Sequence, residues 1–313
     1  MKSHSENVDF ARGWKLWFAI SGALIVFGLG AIALGNLNFG IDFQGGAQFT
    51  ATGAANTLNE DELRQQLPQN VRQEAIIQSL GPNGYEVRTP VLSQQESSEA
   101  RDAITSALDA EVSVNSISPS FGDQIRNQAL SAVAASLIIV VVFITIRFEF
   151  GYALAAVAAL LHDIFITIGF YAIVGREVNL VTVVAILTVL GYSLYDTIII
   201  FDRIRENTPE VGYRRDRFEN MVNLSIRQVV RRSIYTSIST LIPVLALLIF
   251  GESVLSDFAF ALLVGIAAGT YSSIFIASPV LCLYKAWSEA RRSEREREER
   301  TRPPRRTFDE PQV

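Results

Sequence analysis

A carboxylate stands where the surrounding sequence is apolar. Asp196 lies in the stretch Gly191 to Asn207, GYSLYDTIIIFDRIREN, which closes an apolar run that begins near Val181. Ile198, Ile199, Ile200 and Phe201 follow it before the charged cluster Asp202, Arg203, Arg205 and Glu206. On a membrane-spanning helix, an ionised aspartate at the bilayer centre costs about 2.5–3.5 kcal/mol or more, so Asp196 must face protein or water. The chemistry open to such a group is binding and release of a proton or another cation. The plainer alternative is an aspartate that reaches the interface or is neutralised by a fixed partner.

Three other groups of polar residues interrupt apolar runs. His162 and Asp163 sit near the middle of Tyr152 to Val174, with Thr167 and Tyr171 four and eight residues beyond Asp163, a single polar stripe on a helix. Tyr192 lies four residues before Asp196 and gives that helix a polar face. Arg231 and Arg232 open a further run that continues with Ser233, Thr236, Ser237, Ser239 and Thr240. Arg232, Thr236 and Thr240 share one helical face, and Pro243 frees the carbonyl of Ser239. A lone histidine or a few hydroxyls at such places also serve ordinary packing, and arginines anchor helices at the interface. The pairing of His162 with Asp163 is what points to ion coupling. Ala261, Gly265, Gly269 and Ser273 recur at strict four-residue spacing, a small-residue face suited to close helix packing, with no chemistry implied.

Other chemistries find no residues to run on. No phosphate-binding glycine loop, zinc motif or Gly-x-Ser-x-Gly elbow occurs, so no enzyme activity is expected. One cysteine, Cys282, and two histidines, His4 and His162, make a Cys/His metal site improbable and exclude an intramolecular disulfide. No cofactor, metal or nucleic-acid partner is expected.

These residues need a membrane scaffold, and the rest of the 313-residue chain supplies one. Mean hydropathy is +0.26 with 49% hydrophobic residues, and the apolar residues cluster into runs of spanning length. After a polar segment, residues 1–13, the run Trp14 to Leu34 spans, with Trp14 and Trp17 as interfacial anchors. Ala31-Ile32-Ala33 also fits a signal-peptide processing site, but the run is long for one. Five further spans are expected: Ala129–Ile146, Tyr152–Val174, about Val178–Phe201, Ser233–Phe250 and Phe258–Trp287. A polar connection with eight arginines joins the fourth and fifth spans. Residues 288–313 form a charged tail of alternating Arg and Glu, either a solvated helix or a disordered tail.

Residues 35–125 break the apolar pattern. From Asp42 to Asp123 they hold twelve acidic residues, against five arginines with Arg126 at the edge included and no lysine, a balance of −7. Ile41 to Thr52 reads as a strand broken at Gly45-Gly46, and Asn59 to Leu67 as a helix with Glu60, Asp61 and Glu62 at its start. Strands at Glu74–Leu80 and Tyr85–Thr89 flank the turn Gly81-Pro82-Asn83-Gly84, followed by a helix Gln95–Leu108 and a strand Glu111–Ser118. The order βαββαβ predicts a small α+β ferredoxin-like domain. The expected fold class is therefore an α-helical polytopic membrane protein of six transmembrane helices with an extracytoplasmic α+β domain, residues 126–287 forming a five-helix bundle. Lysine and arginine in the short connections put both termini in the cytoplasm and the acidic domain outside.

The opening stretch, together with FGIDFQGG (Phe39 to Gly46), LHDIFITIGF (Leu161 to Phe170), RSIYTS (Arg232 to Ser237) and GTYSSIFIASP (Gly269 to Pro279), closely resembles the SecF family of bacterial protein-export subunits. The resemblance covers nearly the whole chain, with the motifs in the same order. It implies a half-transporter of the resistance–nodulation–division type in the bacterial inner membrane. Such a subunit pairs with a SecD-like membrane protein in a twelve-helix bundle and uses the proton or sodium gradient to help unfolded preproteins leave the Sec translocon. It further implies ion passage at Asp196 and Arg232, and it marks Gly40, Asp42, Gly45 and Gly46 as motif positions. Members of the family often carry Asn before that aspartate, where this chain has Tyr195. A lipid or drug exporter half of the same superfamily, or a passive scaffold with structural charges, are the competing readings. The expected outer domain is small for such an exporter.

Overall fold

In this computed structural model, residues 9–81, 83–211, 215–251 and 253–301 are described. The chain enters through α1 (Trp14–Ala33), whose only hydroxyl side chain is Ser21. Gly28 lets α1 press directly on a later helix: a Cβ there would lie 2.7 Å from the Cα of Gly169. Small residues permit this backbone approach where lipid offers no hydrophobic drive to associate.

Beyond α1 comes a short strand, β1 (Asn38–Phe39), and a single turn of helix, α2 (Ile41–Gln44), before β2 (Gly46–Thr52). The strand expected over Ile41–Thr52 with a break at Gly45-Gly46 is corrected ahead of the break, where Ile41–Gln44 is a helical turn and Gly46–Thr52 alone is strand. An alternating run of four residues fits one helical turn as well as a strand, and the break at Gly45-Gly46 separates the two. Gly45 has φ of 75° and Gly46 φ of 132°, values open to glycine, and a Cβ on Gly45 would lie 2.8 Å from Pro119.

A sheet domain follows: β2, α3 (Glu60–Gln66), α4 (Gln69–Arg72), β3 (Ile76–Ser79), β4 (Gly84–Thr89), α5 (Gln94–Leu108) and β5 (Glu111–Ile117). Asn59 with Glu62, and Ser93 with Glu96, close reciprocal capping boxes at the starts of α3 and α5. The sheet is antiparallel in the order β3-β4-β2-β5, with Phe49 opposite Val87 on one side and Val114 on the other. Alternation sends Ala47, Phe49 and Ala51 into one core with Leu63, Leu67, Ile104 and Leu108. Gln48, Glu86 and Arg88 point to the opposite face. This is the ferredoxin-like arrangement the element order predicts. Of the expected turn, Pro82 lies outside the described residues.

The remaining helices are α6 (Pro119–Arg147), α7 (Phe150–Val174), α8 (Leu180–Val211), α9 (Arg215–Phe250) and α10 (Ser253–Ser272), which passes through a π-helical turn (Ser273–Ala277) into α11 (Ser278–Thr301). A second short strand, β6 (Glu177–Val178), joins α7 to α8. Among the described residues six helices are long and apolar enough to cross a membrane: Trp14–Ala33, Pro119–Arg147, Phe150–Val174, Leu180–Thr208, Arg217–Phe250 and Val254–Arg295. This is a multi-pass membrane protein. The helices outrun the apolar segments read from sequence. Much of the arginine-bearing connection is helix, and the charged tail is helical as far as Thr301; of the segments expected at the two ends, residues 1–8 and 302–313 lie outside the described residues.

One bundle core gathers Tyr152, Ile200, Phe201, Ile204, Met221, Ile226 and Leu281. A second gathers Tyr171, Val189, Val244, Leu262 and Ile266 and takes in Phe43 of α2, so the segment between β1 and β2 is rooted in the bundle. The four small residues of the sixth span, Ala261, Gly265, Gly269 and Ser273, are all buried within this chain. A Cβ on Gly265 would lie 2.8 Å from Val189 Cγ1, and one on Gly269 2.9 Å from Ser193 Cβ. That face is what lets α10 and α8 approach closely.

Candidate intramembrane ion site

Two buried carboxylates flank α8, on opposite sides of it. Asp163, on α7, is fully buried among α7, α8 and α10. Its Oδ2 accepts hydrogen bonds from Ser193 Oγ at 2.6 Å and Ser272 Oγ at 3.0 Å, and its Oδ1 lies 3.0 Å from His162 Nδ1. His162 Nε2 lies 3.0 Å from Ser21 Oγ on α1, and Ser21 in turn reaches the hydroxyl of Tyr271 at 3.4 Å. With Nδ1 protonated toward the carboxylate, a neutral His162 accepts from Ser21 through Nε2, whereas an imidazolium donates at both ends. Nearby, Thr197 and Ser273 hydroxyls meet at 2.8 Å, where the π-helical turn begins. Such turns recur at functional sites, because the extra residue frees backbone groups.

Asp196 projects from the other side of α8 toward α9 and is 2% exposed. Ser233 Oγ donates to its Oδ1 at 2.9 Å, while Oδ2 is buried and has no hydrogen-bond partner. A buried, half-satisfied carboxylate is an expensive arrangement that a proton or a cation would relieve. One helical turn away, Tyr192 places its hydroxyl 3.4 Å from Ser237 and 3.5 Å from Thr240.

Arg232 is exposed and directs Nη2 to the Tyr195 hydroxyl at 3.4 Å. The polar face of α9 read from sequence as Arg232, Thr236 and Thr240 is thus turned partly away from α8. Thr236 bonds back to the carbonyls of Arg232 and Ser233, and the buried stripe is one residue on, at Ser233 and Ser237. The chain also encloses Asp163 and Asp196 by itself. Arg232, by contrast, is exposed on the surface of this chain.

Sequence reasoning missed Ser21, Ser193, Ser233 and Ser272 as the direct partners of these groups. Ser193 and Ser233 stand inside the motifs that carry Asp196 and Arg232, three residues before and one residue after, so motif proximity was the available signal. The glycines and Asp42 of FGIDFQGG gather elsewhere, at the join between sheet domain and bundle. Gly40 N donates to Val178 O at 2.9 Å, and Leu180 N donates to Asp42 Oδ2 at 2.9 Å.

This geometry sits on a chain with recognisable relatives. Residues 99–287 match the family model described as protein export membrane protein SecD/SecF, C-terminal, and residues 37–52 match the SecD/SecF GG motif. A protein translocase subunit SecF from Streptomyces coelicolor is 37% identical over 288 residues, covering 89% of this chain and 77% of the relative. One from Rhodothermus marinus is 35% identical over 300 residues, covering 91% and 96%. The chain belongs to the SecF family of protein translocase subunits. The crystal structure of SecDF, a translocon-associated membrane protein from Thermus thermophilus, superposes with a TM-score of 0.83 at 32% identity over 91% of this chain. SecDF in its super-membrane-facing form gives 0.68 at 33% identity over 92%. This chain spans 40% of the length of each SecDF chain.

Proposed function

We propose that this subunit couples an ion gradient to late-stage export of unfolded preproteins through the Sec translocon, with Asp196 as the ion-binding carboxylate. The observation that carries the reading is the buried Oδ2 of Asp196, which lacks any hydrogen-bond partner while Ser233 holds Oδ1. A proton, or sodium, is the ligand such a group takes. Arg232 is the movable counter-charge: swung from Tyr195 toward Asp196 it favours the ionised carboxylate, and swung away it lets the carboxylate bind an ion. His162 and Asp163, tied to three helices, form a second ion-responsive centre, with Tyr192, Tyr195, Thr236 and Thr240 as supporting polar groups. No covalent chemistry is part of this function.

The partner is a SecD-like membrane protein forming a heterodimer. Arg232, Tyr195 and Tyr235 are exposed on one face of α8 and α9, and a guanidinium at that level calls for a protein wall rather than lipid. The parallel-repeat logic of such transporters supplies it. In the bacterial inner membrane, the arginines at Arg147, Arg203, Arg205, Arg227 and Arg231 favour placing their side, and both termini, in the cytoplasm, with only Arg126 and Arg176 at the opposite ends. The division follows as residues 1–13 inside, 14–34 the first span, 35–125 the outer domain, 126–287 the bundle and 288–313 the cytoplasmic tail.

The test is gradient-driven completion of preprotein export in membranes carrying substitutions. Asp196→Asn abolishes the gradient dependence while the complex assembles, and Arg232→Lys retains part of it, because charge survives without the planar fork. Full gradient-sensitive export by Asp196→Asn, with Arg232→Lys indistinguishable from wild type, leaves the charges as a passive scaffold.

A further inference from the structure

The sheet domain is fastened to the bundle through a buried cluster of charge that the ion site does not use. β1 pairs in parallel with β6, Asn38 opposite Glu177 and Phe39 opposite Val178, and Asn38 Nδ2 donates to Gly175 O at 3.0 Å. This laces the segment before the sheet domain to the α7–α8 connection. Gly40 has no side chain because that of Glu177 occupies the space a Cβ would need. Glu177 thereby lies under the face of the sheet that carries Glu86 and Arg88.

Arg88 is 5% exposed and Glu86 6% exposed, both on β4. Arg88 Nη1 lies 2.5 Å from Glu177 Oε2. Its Nε lies 3.2 Å from Glu86 Oε1, off the hydrogen-bonding direction, and its Nη2 has no partner. Other charges face Glu177 from each neighbouring element. Asp257 of α10 is bound by Arg176 at 2.6 Å, and Asp42 of α2 accepts from the backbone N–H of Leu180. Arg176 offsets Asp257, and Arg88 stands between two buried carboxylates, while the backbone N–H on Asp42 leaves that charge in place. Two guanidiniums thus face four carboxylates, and the cluster carries an excess of negative charge. A cavity of about 520 Å³, lined by Glu86, Glu177, Asp257 and Arg176, leads to the cluster and provides a water route.

We propose that Glu177, held between Arg88 of the sheet domain and the membrane bundle, is a further proton-binding site, whose occupancy sets how firmly the sheet domain docks on the bundle. The excess of negative charge favours uptake of a proton at Glu177, and the cavity gives it a path. Burial pushes the Glu177 carboxyl up from its ordinary value of 4.5 to about 7, with Arg88 opposing and Glu86, Asp257 and Asp42 adding to the rise. Burial also raises Glu86, again opposed by Arg88. A carboxyl whose value is raised on docking binds its proton more tightly when docked. Its contribution to docking is full below about 4.5 and is lost as pH climbs to about 7, by roughly tenfold in the docking equilibrium per pH unit. The site is independent of Asp196, so either proposal can fail without the other.

The experiment places spin labels at Ser79 on β3 and Leu255 on α10, with Cys282 replaced by alanine, in the full chain with its co-purifying membrane partner in lipid nanodiscs. Pulsed electron resonance then reads the distance from pH 5 to pH 8. The expected result is one short distance at pH 5 and a longer one whose share rises to a plateau near pH 7. Glu177→Gln, which keeps the shape of the protonated side chain, holds the short distance throughout. A distance distribution unchanged from pH 5 to pH 8 in the otherwise wild-type chain overturns the proposal, and so does the same pH response in Glu177→Gln. The pH series needs no substitution in the cluster, so it decides the matter even where Glu177→Gln fails to assemble.

Discussion

Ser233 Oγ donates to Asp196 Oδ1 at 2.9 Å, the hydrogen bond that ties α9 to the buried carboxylate of α8. It connects the residue after Arg232 to the residue after Tyr195, so any movement of α9 that carries the arginine also changes how Asp196 is held. In the proposed coupling, that one hydroxyl links the state of Asp196 to movement of α9.

Replacing that hydroxyl tests the link. Ser233→Ala leaves Asp196 with neither oxygen bonded, at a cost of about 1–3 kcal/mol for a buried acceptor left unpaired. The expected outcome is an assembled complex whose gradient dependence of export shifts, with Ser233→Thr close to wild type because the hydroxyl survives. Wild-type gradient dependence in Ser233→Ala removes the hydroxyl from the coupling path.

Asp163 depends on close helix approach as well as on its own bonds. Gly269 lies against Ser193 and 3.4 Å, measured from the position of an added Cβ, from Asp163 Oδ2. Gly269→Val drives α10 away from α8 and opens the bonds from Ser193 and Ser272, with overpacking of this kind costing about 1–3 kcal/mol. Thermal unfolding of the detergent-purified chain should fall by several degrees, while Gly30→Val, where added atoms meet open space, should leave it unchanged.

The junction can be broken from the sheet side. Arg88→Met leaves Glu86 and Glu177 facing each other without a cation, and removing one partner of a buried pair typically costs about 3–5 kcal/mol. Limited proteolysis near Gly45-Gly46 should quicken at pH 8 and slow again at pH 5, because burial raises both carboxyls and lower pH favours their neutral forms. Equal cleavage rates at the two pH values would show that the junction charges do not control access to this link.

The architecture was legible because the signals that set it are long. Spans of apolar residues, a segment of mixed polarity between the first two, and two capped helices within it require no knowledge of packing. The charged residues Asp163 and Asp196 stood out for the same reason: an ionisable group in an apolar run is expensive enough to be conspicuous. Their hydroxyl partners were not legible. Ser21, Ser193 and Ser272 are single small residues on three different helices, and only helix packing brings them to Asp163 and His162. Arg232 shows the complementary error. Spacing groups it correctly with Thr236 and Thr240, yet the rotation of α9 that buries Ser233 in its place is fixed by neighbours, not by period. The segment Ile41–Gln44 was read as strand because four residues are too few to separate the two periodicities.

The central claim is that Asp196 takes up and gives up the coupling ion. The most direct measurement is infrared absorption of protonated carboxyl groups in the purified complex as pH is stepped, taken as the difference between wild type and Asp196→Asn. A carboxyl band present at low pH should disappear across a single titration and be absent from the variant. Sodium, where it is the coupling ion, should displace that titration to lower pH by competing for the same carboxylate. Difference spectra without such a band at any pH, and unmoved by sodium, would mean that Asp196 holds a fixed charge and would contradict the mechanism.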